Sequence, residues 1–246
     1  HLETLAEKVP SNFRFAHKVT DTITIKNFPA LKRHGEFAGL ANPCYLNSDI
    51  FLKSFLSPLA PHREQTGLII FEFSHFYPRD YRYGREFVSD LDSFLATLPT
   101  NEWDFGVEIR NASLLQKPYF DTLERHSVAH VYNQWQRMPD LADQLKLHWP
   151  NPENSPTGCR LLLKRGRNYN RAVESFAPYD RTKEVQDNVR HASARLIQDR
   201  KAKASGRRTY IYANNRLEGN ALATIEAILA LVDNQPLRPL PPEASP

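Results

Sequence analysis

The sequence predicts a TIM-barrel-like α/β fold, specifically an incomplete barrel of six parallel βα units. Six short strand patterns alternate with helical patterns along the 246 residues, and this alternation is typical of a parallel sheet with its helices outside. No GxGxxG or GxxxxGK[ST] turn follows a strand, so a nucleotide-binding Rossmann or P-loop fold is not supported. Charged or amide residues end several strands, as around a barrel mouth, namely Lys18, Glu72, Arg110, Lys164 and Asn214.

The predicted strands are short apolar or alternating runs. The second is nearly continuous (GLIIFEF), as expected for a strand buried on both faces of a parallel sheet. In chain order the strands are Phe13–Val19, Gly67–Phe73, Phe105–Arg110, His130–Gln134, Cys159–Lys164 and Arg208–Ala213.

The predicted helices follow apolar spacing and their start and stop signals. Asn47 or Ser48 caps the second helix, and Pro99 ends the third. The helices are Leu2–Lys8, Ser48–Leu56, Arg85–Leu98, Tyr119–His126, Asp140–Leu147, Lys183–Lys203 and Asn220–Val232.

The connections predict one domain over residues 1–234, followed by a flexible proline-rich tail over 235–246. The predicted loops are Pro29–Pro43, the proline-rich Trp149–Gly158, and a long polar stretch after the fifth strand. Because the chain begins at His1 and its only methionine is Met138, we expect it to lack its own start.

The composition argues against a membrane protein and a disulfide scaffold. No apolar run approaches the roughly 20 residues that span a bilayer. Cys44 and Cys159 stand alone, without the spacing of a disulfide framework or a thiolate zinc site. We therefore expect a cytoplasmic protein.

Positive charge is concentrated in one segment of the chain. Between Thr157 and Tyr210 there are 14 Lys and Arg residues against 5 Asp and Glu, or +9, whereas the whole chain carries +4. This predicts an anionic partner such as a phosphate, a nucleotide or a nucleic acid, or else a solvated basic helix. No aromatic residues interleave with the basic run Arg195–Arg208, which weakens the nucleic-acid interpretation.

At the strand ends the sequence resembles the YecE-like family, known as domain of unknown function 72. The matching motifs cover nearly the whole chain: FRFAHKVT, GLIIFEFSHF, VEIRNASLL, RLLLKRGRNY and YIYANNRLEGNA. The resemblance implies a TIM barrel whose first two strands are absent from this chain. It implies no activity, because the family has none established.

Glu72, Glu108 and Arg110 are the candidate catalytic residues. In the strand VEIR, alternation sends Val107 and Ile109 toward the helices, and Glu108 and Arg110 into the barrel. The pair is either an internal salt bridge or a site in which Arg110 binds an anion and Glu108 acts as a base or orients the substrate. An inward Glu72 would approach Glu108, which suits an acid–base pair or a shared cation. Without an HExxH motif or a histidine cluster, we predict no metal site.

The candidate ligand-binding residues surround these three at the same ends of the strands. The last two strands of a barrel often hold phosphate, so we expect a phosphate to be held chiefly by Lys164, Arg165, Arg167 and Arg110. Trp135 either stacks on a base or sugar ring or packs beneath a loop. The remaining candidates are Lys18, Asn133, Tyr169, Asn214 and Asn215.

Two functions remain open at this point. One is an enzyme, of hydrolase or isomerase type, that acts on a phosphate-bearing or sugar-like substrate, or on a nucleic-acid phosphodiester, within the barrel mouth. The other is a non-catalytic anion or nucleic-acid binding protein that uses the basic segment 157–210. The sequence does not identify a cofactor.

Overall fold

The fold is a curled half-barrel of six parallel strands, which confirms the predicted incomplete barrel. A computed structural model describes residues 2–147, 155–202 and 207–234. The sheet order follows the chain, and every neighbouring pair is parallel. The strands are β1 (Phe15–Lys18), β2 (Thr66–Phe73), β3 (Phe105–Ile109), β4 (Ala129–Gln134), β5 (Thr157–Leu161) and β6 (Thr209–Ala213).

The helices lie between the strands, as the alternation predicted. Their bounds are α1 (Leu2–Ala6), α2 (Asp21–Thr24), α3 (Ser48–Phe51), α4 (Gly84–Leu95), α5 (Lys117–Arg125), α6 (Leu141–Leu145), α7 (Tyr169–Phe176), α8 (Asp187–Ala202), α9 (Asn215–Glu218) and α10 (Ala221–Asn234). Asn47 caps α3, since its side chain accepts a hydrogen bond from the Ile50 amide at 3.0 Å. A π-helical turn (Leu52–Leu56) and a 3₁₀ segment (Ser57–Gln65) then lead into β2.

The main core lies between the outer face of the sheet and the helices. Alternate residues of β2 and β3 enter it, including Phe71 and Val107, both fully buried. They pack against the apolar face of α4, which includes Phe87 and Leu91. Because side chains alternate across a strand, burying these residues outside directs Glu72 and Glu108 to the concave face.

The floor of the concave face is a small apolar cluster. It contains Leu68, Ile70 and Val131, with Tyr210 and Tyr212 packed against them. Glycine is needed beside this cluster. A Cβ atom added at Gly106 would lie 2.6 Å from Val131 Cγ2, and one added at Gly158 would lie 2.6 Å from Leu68 Cδ2. Side chains from β2 and β4 therefore meet closely over the inner surface of β3 and β5.

Near the candidate site the structure differs from the predictions in three places. The fifth strand was predicted as Cys159–Lys164 but runs from Thr157 to Leu161, so Lys164 lies in the following loop. The polar stretch after it contains helix α7, whose N-cap Asn168 accepts a hydrogen bond from the Asn170 amide at 2.9 Å. The residues between the last predicted strand and the last predicted helix, for which no element was predicted, contain the short helix α9. Side-chain caps begin both of these helices, α7 at Asn168 and α9 at Asn214.

Some predictions fall outside the described residues. These are the proline-rich tail, most of the predicted loop before β5, and the last residue of the predicted helix Lys183–Lys203. Within the described residues β1 and β6 each pair with one neighbour only, so both are edges of the sheet. No helix in this part of the chain combines the length and apolar character needed to cross a membrane.

Candidate functional site

Four charged side chains form a compact cluster on the concave face, which we call the Glu–Arg tetrad: Glu72, Glu108, Arg110 and Arg160. Glu72 and Glu108 lie beside each other because β2 and β3 pair in register at these residues. Arg110 follows directly after β3, and Arg160 extends from β5. The tetrad therefore joins three strands at their C-terminal halves, where ligands bind in parallel barrels.

Both arginines contact both carboxylates. Arg110 Nε lies 2.7 Å from Glu108 Oε1, and its Nη2 lies 3.1 Å from Glu72 Oε2. Arg160 Nη1 lies 2.5 Å from Glu108 Oε2 and also donates to Glu72 Oε2. Four ion contacts thus hold two positive and two negative charges together, so the tetrad has no net formal charge.

The tetrad is exposed on one side only. Glu108 has no exposed side-chain surface, and Arg110 is 7% exposed. Glu72 and Arg160 are 17% and 19% exposed. A molecule on the concave face would meet Glu72 and Arg160 first, with Glu108 and Arg110 behind them.

The two carboxyl groups have pKa values shifted in opposite directions. Complete burial raises the pKa of Glu108 above its ordinary value, although Arg110 and Arg160 oppose the shift. Burial also acts to raise the pKa of Glu72, but Arg110 and Arg160 outweigh it and lower that pKa. Two neighbouring carboxylates with such different proton affinities can take different roles in proton transfer.

Three other predicted residues lie around the tetrad. The guanidinium of Arg110 sits over the ring of Trp135, 4.1 Å from its centroid. Asn133 is fully buried, and its Nδ2 donates to the Ile109 carbonyl at 3.0 Å. Lys18 contributes to the lowered pKa of Glu72 and pairs with Asp21 at 3.1 Å. Trp135 therefore packs on an arginine rather than presenting both faces to a ligand.

The predicted cationic cluster after β5 is largely occupied by one carboxylate. Lys164 Nζ lies 2.8 Å from Glu184 Oε1, and Arg167 donates to Glu184 Oε2. Arg167 also sits over the ring of Phe176, 4.7 Å from its centroid. The side chain of Arg165, in the same loop, is exposed. An anion at this loop would have to compete with Glu184.

The two asparagines after β6 have structural partners. The side-chain oxygen of Asn214 accepts from the Arg216 amide at 3.0 Å and caps α9. That of Asn215 accepts from the Ala221 amide at 2.7 Å, at the start of α10. Tyr169 lies at the start of α7, with the guanidinium of Arg216 4.6 Å from its ring centroid. The amide oxygens of both asparagines are therefore already bonded.

Sequence reasoning missed two residues of the site, Arg160 and Tyr212. In-register pairing aligns Asn133 with Arg160 and Arg160 with Tyr212, which places all three on the concave face. The alternation of inward residues in β5 and β6 could have revealed both. For Arg160 it was hidden by the apolar run Leu161–Leu163, which made the strand look longer and moved attention to Lys164.

Metal coordination finds no support at the tetrad. The described residues contain no group of three His, Cys, Asp or Glu side chains that could hold a metal ion. Arg110 and Arg160 also occupy three of the four carboxylate oxygens, with one of those oxygens bound to both. The guanidinium groups thus stand where a bound cation would otherwise contact Glu72 and Glu108.

Comparison with known proteins identifies relatives by sequence and by fold. A family described as "Protein of unknown function DUF72" matches residues 1–245. A DUF72 family protein from Thermotoga maritima superposes with a TM-score of 0.58 at 15% identity, covering 95% of this chain and 78% of that one. A DUF72 family protein from Enterococcus faecalis superposes with a TM-score of 0.58 at 15% identity, covering 95% of this chain and 84% of that one. No curated protein matches the chain. At these identities the two structures support the fold alone.

Proposed function

The chain belongs to the DUF72 family, whose function is unknown, and we propose that it is an acid–base enzyme. Its substrate is a small phosphate-bearing or sugar-like molecule bound at the C-terminal mouth of the strands, and the reaction is of hydrolase or isomerase type. The observation that carries the proposal is the Glu–Arg tetrad, in which two carboxylates share Arg160 Nη1 and have oppositely shifted pKa values.

The proposal assigns a distinct role to each member of the tetrad. Glu108, whose pKa is raised, exchanges a proton with the substrate more readily than an ordinary carboxylate. Glu72 stays ionised and stabilises positive charge that develops on a substrate carbon. Arg160, on the exposed side, stabilises negative charge on a substrate oxygen, and Arg110 holds both carboxylates in place.

Position supports this assignment over a purely structural ion-pair cluster. A brace for the barrel could lie at any level of the sheet, whereas the tetrad lies toward the C-terminal ends of its strands, where barrel enzymes bind substrates. Its exposed side also faces the concave surface. A buried cluster of four charges costs several kcal/mol per ion in desolvation, and an apolar layer would brace the strands without that cost.

The test is a screen for proton exchange in ²H₂O. The chain would be incubated with free sugars, glycosides and sugar phosphates, and deuterium incorporation and hydrolysis would be followed by NMR. We expect at least one substrate to react, and Glu108→Gln to lower its rate by at least ~100-fold, the lower range for loss of a general acid or base. Glu72→Gln should also lower the rate.

Glu102→Gln is the matched control, because Glu102 pairs with Arg63 at 3.4 Å on an exposed surface away from the tetrad. It should leave the rate unchanged. The proposal fails if no member of the panel reacts, or if both tetrad variants react as fast as the wild type while folded.

The alternative, a non-catalytic anion or nucleic-acid binding protein using segment 157–210, has weaker support. Several cations of that segment already contact carboxylates. Glu184 binds Lys164 and Arg167, and the buried Glu218 binds Arg190 Nη2 at 2.9 Å. Their charge is therefore less available to a polyanion than the sequence count indicated.

A further inference from the structure

Two buried polar atoms beside the tetrad have no hydrogen-bond partner among the described residues: Asn133 Oδ1 and Tyr212 Oη. The bond from Asn133 Nδ2 to the Ile109 carbonyl fixes the amide, so Oδ1 is left as an acceptor. Burial raises the pKa of Tyr212, which keeps its hydroxyl group protonated and able to donate. Buried polar groups are normally paired, so these two atoms are available to bond a ligand.

Both atoms belong to the same surface as the tetrad. Arg160 pairs in register with Asn133 on one side and with Tyr212 on the other. In-register residues of parallel strands point to the same face of the sheet. A free acceptor and a free hydroxyl group therefore flank the partly exposed guanidinium of Arg160.

The charge of this surface is already balanced. The two carboxylates and two guanidinium groups of the tetrad cancel, and nearby Lys18 is paired with Asp21. A phosphate dianion placed here would bring uncompensated negative charge next to Glu72. Uncompensated buried charge is strongly unfavourable, so a neutral ligand fits better.

The unpaired Asn133 oxygen and Tyr212 hydroxyl group suit a ligand that carries hydroxyl groups. A ligand hydroxyl can donate to Asn133 Oδ1 or to Glu72 and at the same time accept from Tyr212 or Arg160. The floor below is apolar, formed by Leu68, Ile70 and Val131. The parallel rings of Tyr210 and Tyr212 border it, with centroids 6.3 Å apart and an interplanar angle of 3°. Carbon-bound hydrogens of a sugar ring pack well on such a surface.

We propose that the substrate portion bound between Asn133, Arg160 and Tyr212 is an uncharged polyol, such as a sugar ring with adjacent free hydroxyl groups. The inference rests on the proposed function and narrows it, because of the two substrate classes given above it selects the sugar-like one. It assigns Asn133 and Tyr212 to substrate binding rather than to proton transfer.

The test compares matched neutral and phosphorylated ligands by titration calorimetry: D-glucose with D-glucose 6-phosphate, D-ribose with D-ribose 5-phosphate, and glycerol with glycerol 3-phosphate. In at least one pair the neutral member should bind at least 10-fold more tightly than its phosphate ester. Tyr212→Phe should weaken binding of that neutral ligand roughly 3- to 10-fold, the range for one neutral hydrogen bond.

The thermal midpoint separates a binding role from a structural role. Because the hydroxyl group of Tyr212 bonds to no described residue, Tyr212→Phe should not lower the midpoint of the ligand-free protein. The matched control is Tyr77→Phe, because Tyr77 is 48% exposed; this variant should bind the neutral ligand with unchanged affinity.

The inference is overturned if each phosphate ester binds as tightly as its neutral partner, if no neutral ligand binds, or if Tyr212→Phe keeps full affinity. Loss of proton exchange in Glu108→Gln would still support the proposed function in those cases. The two proposals can therefore fail separately.

Discussion

Replacing Arg160 by methionine tests whether the tetrad works as one electrostatic unit. Arg160 contacts both carboxylates, so Arg160→Met leaves Glu72 and Glu108 with Arg110 alone. Removing one partner of a buried ion pair costs about 3–5 kcal/mol. Since Arg160 is 19% exposed, we expect the free energy of unfolding at pH 8 to fall by ~3 kcal/mol, near the lower limit.

The loss should depend on charge balance and on pH. The double variant Arg160→Met, Glu108→Gln restores one carboxylate to one guanidinium, so it should be more stable than Arg160→Met alone. In the single variant the carboxylates lose a cation and their pKa values rise in the folded state. A carboxyl group whose pKa is raised in the folded state stabilises that state at low pH, and this contribution is lost as the pH rises through the folded pKa. The difference in the free energy of unfolding between Arg160→Met and the wild type should therefore be smaller at pH 5.5 than at pH 8.

Urea unfolding at both pH values measures these differences. Arg63→Met is the control, because Arg63 and Glu102 are half-exposed and lie 3.4 Å apart, and exposed pairs contribute at most about 1 kcal/mol. If Arg160→Met loses no more stability than Arg63→Met at either pH, the tetrad is not coupled as we describe it.

Two further predictions concern stability. Burial lowers the pKa of His130 to about 3, so between that value and its unfolded value near 6.5 only the unfolded chain takes up the proton. Lowering the pH from 7.5 to 5 should therefore reduce the contribution of His130 to the free energy of unfolding by about 2 kcal/mol. Urea unfolding of His130→Phe should show a correspondingly weaker pH dependence; an unchanged dependence would contradict the assignment. Gly158→Ala would place a Cβ atom 2.6 Å from Leu68 Cδ2, and overpacking of this kind costs about 1–3 kcal/mol. A loss below ~0.5 kcal/mol in the same assay would show that Leu68 moves aside freely.

The fold was predictable because its strands carry local signals. In β2 and β3, apolar residues toward the helices alternate with inward Glu72 and Glu108, and this period of two can be read within eight residues. The missed elements are short: α7 does carry helical spacing, with Ala172 and Phe176 buried, but it covers eight residues, and α9 covers four. Helices α7 and α9 are defined by capping side chains at Asn168 and Asn214, and capping depends on geometry more than on composition.

The candidate site was only partly predictable, because its contacts join distant parts of the chain. Glu108 and Arg110 are two residues apart, and alternation alone brings them together. Arg160 reaches Glu108 across 52 residues and Glu72 across 88. Only the pairing order of the strands places it there, since β5 must curl toward β2 and β3 for the guanidinium to span the concave face.

Counting charges along the sequence also overlooks ion-pair partners that lie far along the chain. Lys164 and Arg167 appeared as free cations because their partner, Glu184, follows at distances of 20 and 17 residues. The net charge of a segment sets its long-range field, but the charge available to a ligand is what remains after such pairs form. Among the described residues of the concave face, the tetrad is neutral, and the buried side-chain atoms without a partner there are the amide oxygen of Asn133 and the hydroxyl group of Tyr212. Under the proposed polyol binding, recognition depends on hydrogen-bond geometry, which makes Tyr212→Phe more informative than any change of net charge.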